Sequence, residues 1–336
     1  MGAVIVATGY DEYPIIESNE YNYGIFPNVI TQIELERMLS PIGPTGGHLY
    51  RISDGKTPKS VVMIQCVGSR SLKANPYCSA VCCMVALKNA QILKQEYPDM
   101  DVYIFYIDIR TTDKCNEEYY RKIREADVKL IRGKVGDIFE DDDNNLKIRA
   151  YSSLTGEIIK FKTDLVVLST GMNPSKGTME VIEILGLEKG PNGFLTEIHG
   201  CLKPQETRNL GIYICGCAAG PKNIPYSVST ALAAASKAST LLSHDTIFQE
   251  LIIAEVDEFL CVGCHRCEKL CEYQAIIVTE DGIAVVDEIK CKGCGVCVSS
   301  CPAQAIDLKY YRNKQFEEEI KGIMGSKTEI MKKIST

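Results

Sequence analysis

Two runs of four cysteines constrain this chain more than anything else in it: Cys261, Cys264, Cys267 and Cys271, then Cys291, Cys294, Cys297 and Cys301 followed by Pro302. Each run reads Cys-x2-Cys-x2-Cys-x3-Cys, a spacing that holds two 4Fe-4S clusters, with the last cysteine of each run crossing to the other cluster. Cys261, Cys264, Cys267 and Cys301 are therefore expected on one cluster, and Cys271, Cys291, Cys294 and Cys297 on the other. Soft, charged thiolates suit iron. The alternatives fit less well, because zinc ribbons pair two cysteines with two and disulfide frameworks belong to oxidising compartments. A segment of this kind carries electrons.

The chain has 336 residues, enough for two or three domains. Its hydrophobic fraction of 45% and charged fraction of 24% are those of an ordinary globular protein. A net charge of −7 speaks against nucleic acid or an anionic membrane surface as partner. Sixteen cysteines, with no secretory signal and no apolar run of membrane-spanning length, predict a reducing, cytoplasmic setting. Exposed clusters are oxygen-labile, which points to an anaerobic host.

Upstream of the cysteine runs the pattern is α/β. Val4 to Ala7 reads as a short buried strand entering Thr8-Gly9-Tyr10, with no targeting segment expected before it, and Asp164 to Gly171 repeats the design as an apolar strand ending in Thr170-Gly171. Between these exits lie a strand over Val61 to Cys66, a helix over Ser79 to Glu96 and a strand over Val102 to Ile109, an order that implies a right-handed parallel crossover. A helix over Glu117 to Ala126, a strand over Val128 to Ile131 and a meander over Leu146 to Tyr151 and Glu157 to Lys162 complete that unit. A loop rich in Gly, Pro and Asn follows Gly171. Then come a strand over Gly211 to Ile214, the turn Gly216-Cys217-Ala218-Ala219-Gly220-Pro221 and a small-residue helix from Tyr226 to Leu242. Such a turn either packs a helix on a sheet or presents free amides to an electron-rich ligand.

The paired Thr-Gly exits, the inserted unit and Gly211-Ile212-Tyr213-Ile214-Cys215-Gly216 resemble the flavin-dependent pyridine nucleotide-disulfide oxidoreductases of thioredoxin-reductase shape. More specifically, Gly43-Pro44-Thr45-Gly46-Gly47-His48, Gln65-Cys66-Val67-Gly68-Ser69-Arg70, Cys78 with Cys82-Cys83, Tyr106-Ile107-Asp108-Ile109-Arg110 and Gly220-Pro221-Lys222-Asn223-Ile224-Pro225 resemble the A subunits of heterodisulfide reductases, over residues 1 to about 308. The fold class this implies is α/β: a partial thioredoxin-reductase-like FAD domain (1–57 and 164–245) with an inserted Rossmann-like α/β domain (58–163). A small α+β bacterial two-cluster ferredoxin domain (246–310) and a charged tail (311–336) follow.

The resemblance implies a third 4Fe-4S cluster on Cys66, Cys78, Cys82 and Cys83; a set of buried reduced cysteines is the competing reading. Cys66 to Arg70 stands where a nicotinamide domain would carry Gly-x-Gly-x-x-Gly, so nicotinamide binding there is not expected. No glycine-rich diphosphate turn precedes the strand at Val4, and the FAD is expected to be shared with a partner chain carrying the N-terminal half of the flavin subunit. Thr8, Gly9, Thr170, Gly171, Gly216, Cys217, Lys222 and Ile224 are the expected contacts on this side, with Lys88 and Lys222 as candidate cations for a reduced flavin. Cys115, Cys201, Cys215 and Cys217 are read as packing residues, and His265 as a solvated loop residue.

What the resemblance implies is an oxidoreductase subunit, with no catalytic acid or base of its own, that passes electrons between flavin and clusters, with disulfide reduction on another polypeptide. Implied partners are B- and C-like subunits of heterodisulfide reductase, ferredoxin, and a hydrogenase, formate dehydrogenase or deazaflavin-linked donor. Two alternatives stay open. One is an electron-transfer and docking subunit without functional flavin; the other is a nicotinamide-linked flavin enzyme resembling the small subunit of glutamate synthase.

Overall fold

The computed structural model describes residues 2–18, 20–246 and 251–334. They form two compact units, Met1–Ser239 and Thr240–Thr336. Residues 247–250, inside the expected link to the ferredoxin domain, lie outside the described residues.

The first unit is built on a seven-stranded sheet. Its spatial order is Val29–Thr31, Leu165–Thr170, Ser60–Val67, Asp101–Tyr106, Lys129–Glu140, Leu146–Ser152 and Ile158–Thr163. The first five strands run parallel and the last three form an antiparallel meander. Ser60–Val67 and Leu165–Thr170 are nearly continuous apolar runs because both of their faces are covered. On one face, helix Cys82–Glu96 buries Ala86, Leu87, Ala90 and Leu93 against Met63, Val102 and Ile104. On the other, Val62, Ile64 and Phe105 meet Ile138 and Ile148. The meander strand Leu146–Ser152 alternates buried and exposed residues, as a strand with one wet face must.

This sheet runs across the boundaries expected at 58 and 163. Ser60–Val67, buried on both faces, takes Leu165–Thr170 as a parallel neighbour, which in turn pairs with Val29–Thr31. Two helices that the sequence reading did not include are also present. Gln32–Leu39 begins in a capping box, with the Glu34 N–H donating to Thr31 Oγ1 at 3.3 Å and the Thr31 N–H donating to Glu34 Oε2 at 2.7 Å. Lys176–Leu185 lies in the Gly, Pro and Asn-rich stretch, capped by Ser175 and stopped at Gly186 with φ +59°. Val4–Val6 pairs in parallel with Ile212–Ile214 as a separate two-stranded sheet, and Tyr10–Glu12 pairs antiparallel with Met172–Pro174.

The second unit contains two copies of one short design. Ala254–Val256 pairs with Ile306–Leu308, and Ile276–Val278 with Ala284–Val286. Helices Arg266–Leu270 and Val296–Ser300 each follow a cysteine loop. The copies clasp each other: the Asp257 N–H donates to the Ala305 carbonyl, and in the equivalent place the Asp287 N–H donates to the Ala275 carbonyl, both at 2.7 Å. Gly263 and Gly293, each at φ +62°, are required for this closeness, because a Cβ would lie 2.4 Å from the Gly282 oxygen and 2.1 Å from the Ile252 oxygen respectively. The buried core is three isoleucines, three alanines and three of the cysteines, Cys267, Cys291 and Cys297. Helix Asn313–Ile334 follows, in the region read as a charged tail.

Candidate functional site

The eight cysteines of the second unit line two cavities in the crossed arrangement expected from their spacing. Cys261, Cys264, Cys267 and Cys301 line one, and Cys271, Cys291, Cys294 and Cys297 the other. Matching backbone amides point at the sulfurs: Ala284 N–H to Cys261 Sγ at 3.4 Å, Ala254 N–H to Cys291, Ala275 N–H to Cys271 and Ala305 N–H to Cys301, each of these three at 3.3 Å. Such donors favour a charged thiolate and tune the potential of a cluster it holds. Burial, with Cys291 beside it, pushes the Cys297 thiol up to about 11. Burial likewise raises Cys267. Iron must displace these protons, so cluster binding and deprotonation are one event. Among the described residues no group of His, Cys, Asp or Glu side chains closes on a single metal ion. Four thiols line each of the two cavities, the donor set that a 4Fe-4S cluster takes.

Four of the eight cysteines of the first unit, Cys66, Cys78, Cys82 and Cys83, come together from three kinds of backbone. Cys66 lies in the strand Ser60–Val67 but at φ +62°, where the pairing with Leu165–Thr170 shifts register. A non-glycine residue in that region is costly and marks a special site. Cys82 and Cys83 open the helix Cys82–Glu96, whereas Cys78 lies before it in irregular backbone, not on the helix turn that its spacing suggests. The cause is Ala80, at φ +62°, which turns the chain and donates its N–H to Cys78 Sγ at 3.3 Å. Burial drives the Cys82 thiol up to about 12, reinforced by Cys83, Cys66 and Cys78. Cys66 is pushed up to about 11, first by burial and then by Cys83, while Arg70 opposes the shift. Arg70 is itself fixed by an ion pair with Asp108. In the sequence, Arg70 and Asp108 stand only as members of motifs and had no expected part in the site; a cation four residues after a strand-end cysteine was the available signal.

Two further cavities flank these thiols. A cavity of about 1180 Å³ at the carboxyl ends of Ser60–Val67 and Asp101–Tyr106 is lined by Gln65, Cys66, Arg70, Lys73 and Lys134. Buried Gln65 donates to Ser169 Oγ at 2.8 Å, and its Oε1 has no partner. A second cavity of about 270 Å³ joins three of the expected flavin residues, Lys88, Thr170 and Gly171, to Cys82, with Tyr10 and Glu12 on its wall. Thr170 Oγ1 donates to Glu12 Oε1 at 2.6 Å and Lys88 is ion-paired with Glu36. Gly171 packs so closely that a Cβ would reach 2.5 Å from Ser69 Oγ.

The other expected flavin residues do not line that cavity. Thr8 shares a hydrogen bond with Thr178, and Gly9 turns the chain at φ +75°. Gly216 donates its N–H to Thr230 Oγ1 at 2.9 Å, Cys217 Sγ donates to the Lys222 carbonyl at 3.4 Å, and Ile224 is 81% exposed. Burial lowers the affinity of Lys222 for its proton, and Cys217 opposes this. Tyr10, missed in the sequence, ties the two groups together: burial raises its pKa, helped by Glu12, then by Cys217 from the turn and Cys82 from the helix. Of the leftover cysteines Cys215 is buried, but Cys115 and Cys201 are exposed and so do not pack. His265 pairs with Glu268 at 2.7 Å on the surface, as a loop residue.

Comparison with known proteins gives the following. Residues 254–308 match the family model described as "4Fe-4S dicluster domain". The chain is 48% identical, over 97% of its length, to the A subunit of the "H(2)/formate:CoB-CoM heterodisulfide,ferredoxin reductase" of Methanococcus maripaludis. It is 49% identical, over 96% of its length, to the iron-sulfur A subunit of the "CoB--CoM heterodisulfide reductase" of Methanocaldococcus jannaschii. It spans about half of each relative, 50% in both cases. Among solved structures, the thioredoxin reductase of T. acidophilum aligns with 71% of this chain and 64% of its own, at 17% identity and a TM-score of 0.44.

Proposed function

We propose that this chain, which belongs to the family of heterodisulfide reductase A subunits and spans about half the length of its curated relatives, is an iron-sulfur flavoprotein subunit that relays electrons between FAD and three 4Fe-4S clusters. The observation that carries the reading is the grouping of twelve cysteines into three sets, two of which line crossed cavities in the second unit while the third surrounds Cys66. The cavity holding Lys88, Thr170 and Gly171 also reaches Cys82, which supports a flavin edge beside the Cys66 set. FAD, when bound, supplies conversion between electron pairs and single electrons, and the clusters carry the single electrons.

The residues of this chain have positioning and electrostatic parts in that scheme. Cys66, Cys78, Cys82 and Cys83 hold the near cluster, and Arg70 places a fixed positive charge beside it. Lys88 and Lys222 would supply cationic character to a bound flavin, and Thr8, Gly9, Gly216, Cys217 and Ile224 would form the wall that a companion polypeptide closes. Cys261, Cys264, Cys267 and Cys301, with Cys271, Cys291, Cys294 and Cys297, form the outward relay. The glycine-rich diphosphate turn comes from the companion, and disulfide reduction from a B-like subunit working with a C-like one. Ferredoxin exchanges electrons with the outward relay, and the donor is a hydrogenase, formate dehydrogenase or deazaflavin-linked enzyme. The domain scheme is kept with the sheet strands 29–31 and 165–170 shared between flavin domain and insert.

Anaerobic purification of the complex from the host, with flavin counted by absorbance and each polypeptide identified, tests the proposal. One flavin per complex, released when the companion is removed, is expected. A complex with full iron and no flavin would instead give the chain a role in electron transfer and docking only.

A further inference from the structure

The loop that carries Cys78 is stitched to the chain just past Thr170. Asn75 Nδ2 donates to Asn173 Oδ1 at 2.6 Å, the Tyr77 hydroxyl donates to the Met172 carbonyl at 2.9 Å, and the Met172 N–H donates to Ser79 Oγ at 2.9 Å. The same stretch reaches the other cysteines. The Gly171 N–H donates at 2.8 Å to the carbonyl of Val67, one residue past Cys66, and Cys82 Sγ donates to the Thr170 carbonyl at 3.8 Å. Residues 170–172 are thus bonded to, or within one residue of, three of the four thiols of the Cys66 set.

Ser79 is central to this stitching and is 1% exposed. Besides accepting from Met172, its Oγ shares a 2.7 Å hydrogen bond with Oγ of Ser69, itself 3% exposed. A serine hydroxyl carries one hydrogen and two lone pairs. The pair therefore holds two hydrogens; the mutual bond uses one, and no acceptor among the described residues takes the other. A buried donor without an acceptor is destabilising, so a fold that keeps one implies an acceptor not supplied by the chain itself. A cluster on the flanking cysteines brings inorganic sulfides, and these accept hydrogen bonds. In the second unit the comparable hydroxyls are already used: Ser299 donates to the Val296 carbonyl at 3.0 Å and Ser300 to the Cys297 carbonyl at 3.3 Å.

We propose that Ser69 and Ser79 form a hydroxyl relay, running from the Met172 N–H through Ser79 to Ser69, whose end hydrogen is given to a sulfide of the Cys66 cluster and raises the potential of that cluster alone. This rests on the reading of a third cluster on Cys66, Cys78, Cys82 and Cys83. The direction follows from Met172: a hydroxyl that already accepts a hydrogen bond is the better donor, so Ser79 donates and Ser69 stands at the free end. A hydrogen bond to sulfur favours the more negative, reduced cluster, which is what a raised potential means. Through the Met172 N–H the relay also anchors the cluster to the chain beside Thr170 and Gly171. Ser69 and Ser79 are in this sense positioning and tuning residues.

The test is a redox titration of the anaerobically purified full chain, followed by electron paramagnetic resonance, on the wild type, Ser69→Ala, Ser69→Thr and Tyr77→Phe. Ser69→Ala removes the end hydroxyl and leaves Met172 bonded to Ser79, whereas Tyr77→Phe loosens the same loop and leaves the relay whole. In Ser69→Ala at unchanged iron, the reduced-to-oxidised ratio of one cluster should drop about tenfold at a fixed potential, about 59 mV for a one-electron couple. Ser69→Thr and Tyr77→Phe should titrate as the wild type, and the other two clusters should not move. Loss of one cluster's iron in Ser69→Ala, restored in Ser69→Thr, also supports the relay. An unshifted Ser69→Ala, a Tyr77→Phe shifted as far as Ser69→Ala, or a Ser69→Thr that behaves as Ser69→Ala overturns it. With about twelve irons in the wild type these results sink the relay and leave the third cluster standing; about eight irons sink both.

Discussion

The two cysteine-bearing regions present their thiols in opposite ways. In the second unit three cysteines of each set lie within one short loop and the fourth crosses over from the other run, and the core beneath them is small: Ile253, Ile276 and Ile306 with Ala254, Ala275, Ala284 and three of the cysteines. In the first unit the four proposed ligands are gathered from a strand, a loop and a helix on top of a core that includes Leu87, Leu93, Met63, Val102 and Ile104, all fully buried. A core of the first kind is below what a metal-free domain of that size needs, whereas one of the second kind stands without metal. Iron is thus expected to fold one region and merely to occupy the other.

Chelation of iron under reducing conditions breaks or upholds this contrast most directly. Hydrogen exchange should show residues 254–308 losing protection wholesale while Ser60–Val67 and Leu165–Thr170 keep theirs. Equal loss in both would end the distinction. Next in size, Leu87→Ala, at a site with 0% exposure, should cost the first unit about 2–5 kcal/mol and leave the melting of the second unit unmoved. Differential scanning calorimetry with separated transitions reads both.

The different legibility of the two regions has the same origin. The spacing pattern of the two runs placed Cys301 with the first run and Cys271 with the second, and those same residues line the two cavities. For Cys66 the family motif supplied the ligand set, but the backbone that presents it was invisible. Nothing in an apolar strand announces a cysteine at φ +62°, and alanine, a good helix former, hid the turn at Ala80 that delays the helix to Cys82. The strand expected at 128–131 is longer in the structure: Lys129–Glu140 runs through Gly133 and Gly136 with a register shift between Val135 and Asp137. Gly133 is there for a close approach, since a Cβ would lie 1.9 Å from the Tyr151 oxygen. Thr31 and Glu34 did spell a capping box, and that signal for the helix Gln32–Leu39 went unread.

Two smaller effects sharpen the comparison. Arg70→Gln removes a positive charge beside Cys66 and none from the second unit. The midpoint potential of the Cys66 cluster should fall by less than about 60 mV, one tenfold step for a one-electron couple, with the other two clusters unchanged in a redox titration followed by electron paramagnetic resonance. Smallest is the meander turn, where Lys162 and the amides of Asn145 and Asp143 hold the Asp141 carboxylate down to about 2. A folded-state value below the unfolded one, near 3.9, means that this carboxylate stabilises the fold above that pH and ceases to as pH falls through about 2. Asp141→Asn should therefore lower the Tm of the first unit by a few degrees at most at pH 7, with the gap to wild type closing on acidification.

The iron content of the anaerobically purified chain bears most directly on the claim that the Cys66 set is a third cluster and not a buried group of thiols. About twelve irons per chain, falling to about eight in Cys82→Ala with the fold intact, is the predicted result. About eight irons in the wild type, unchanged by Cys82→Ala, would contradict it.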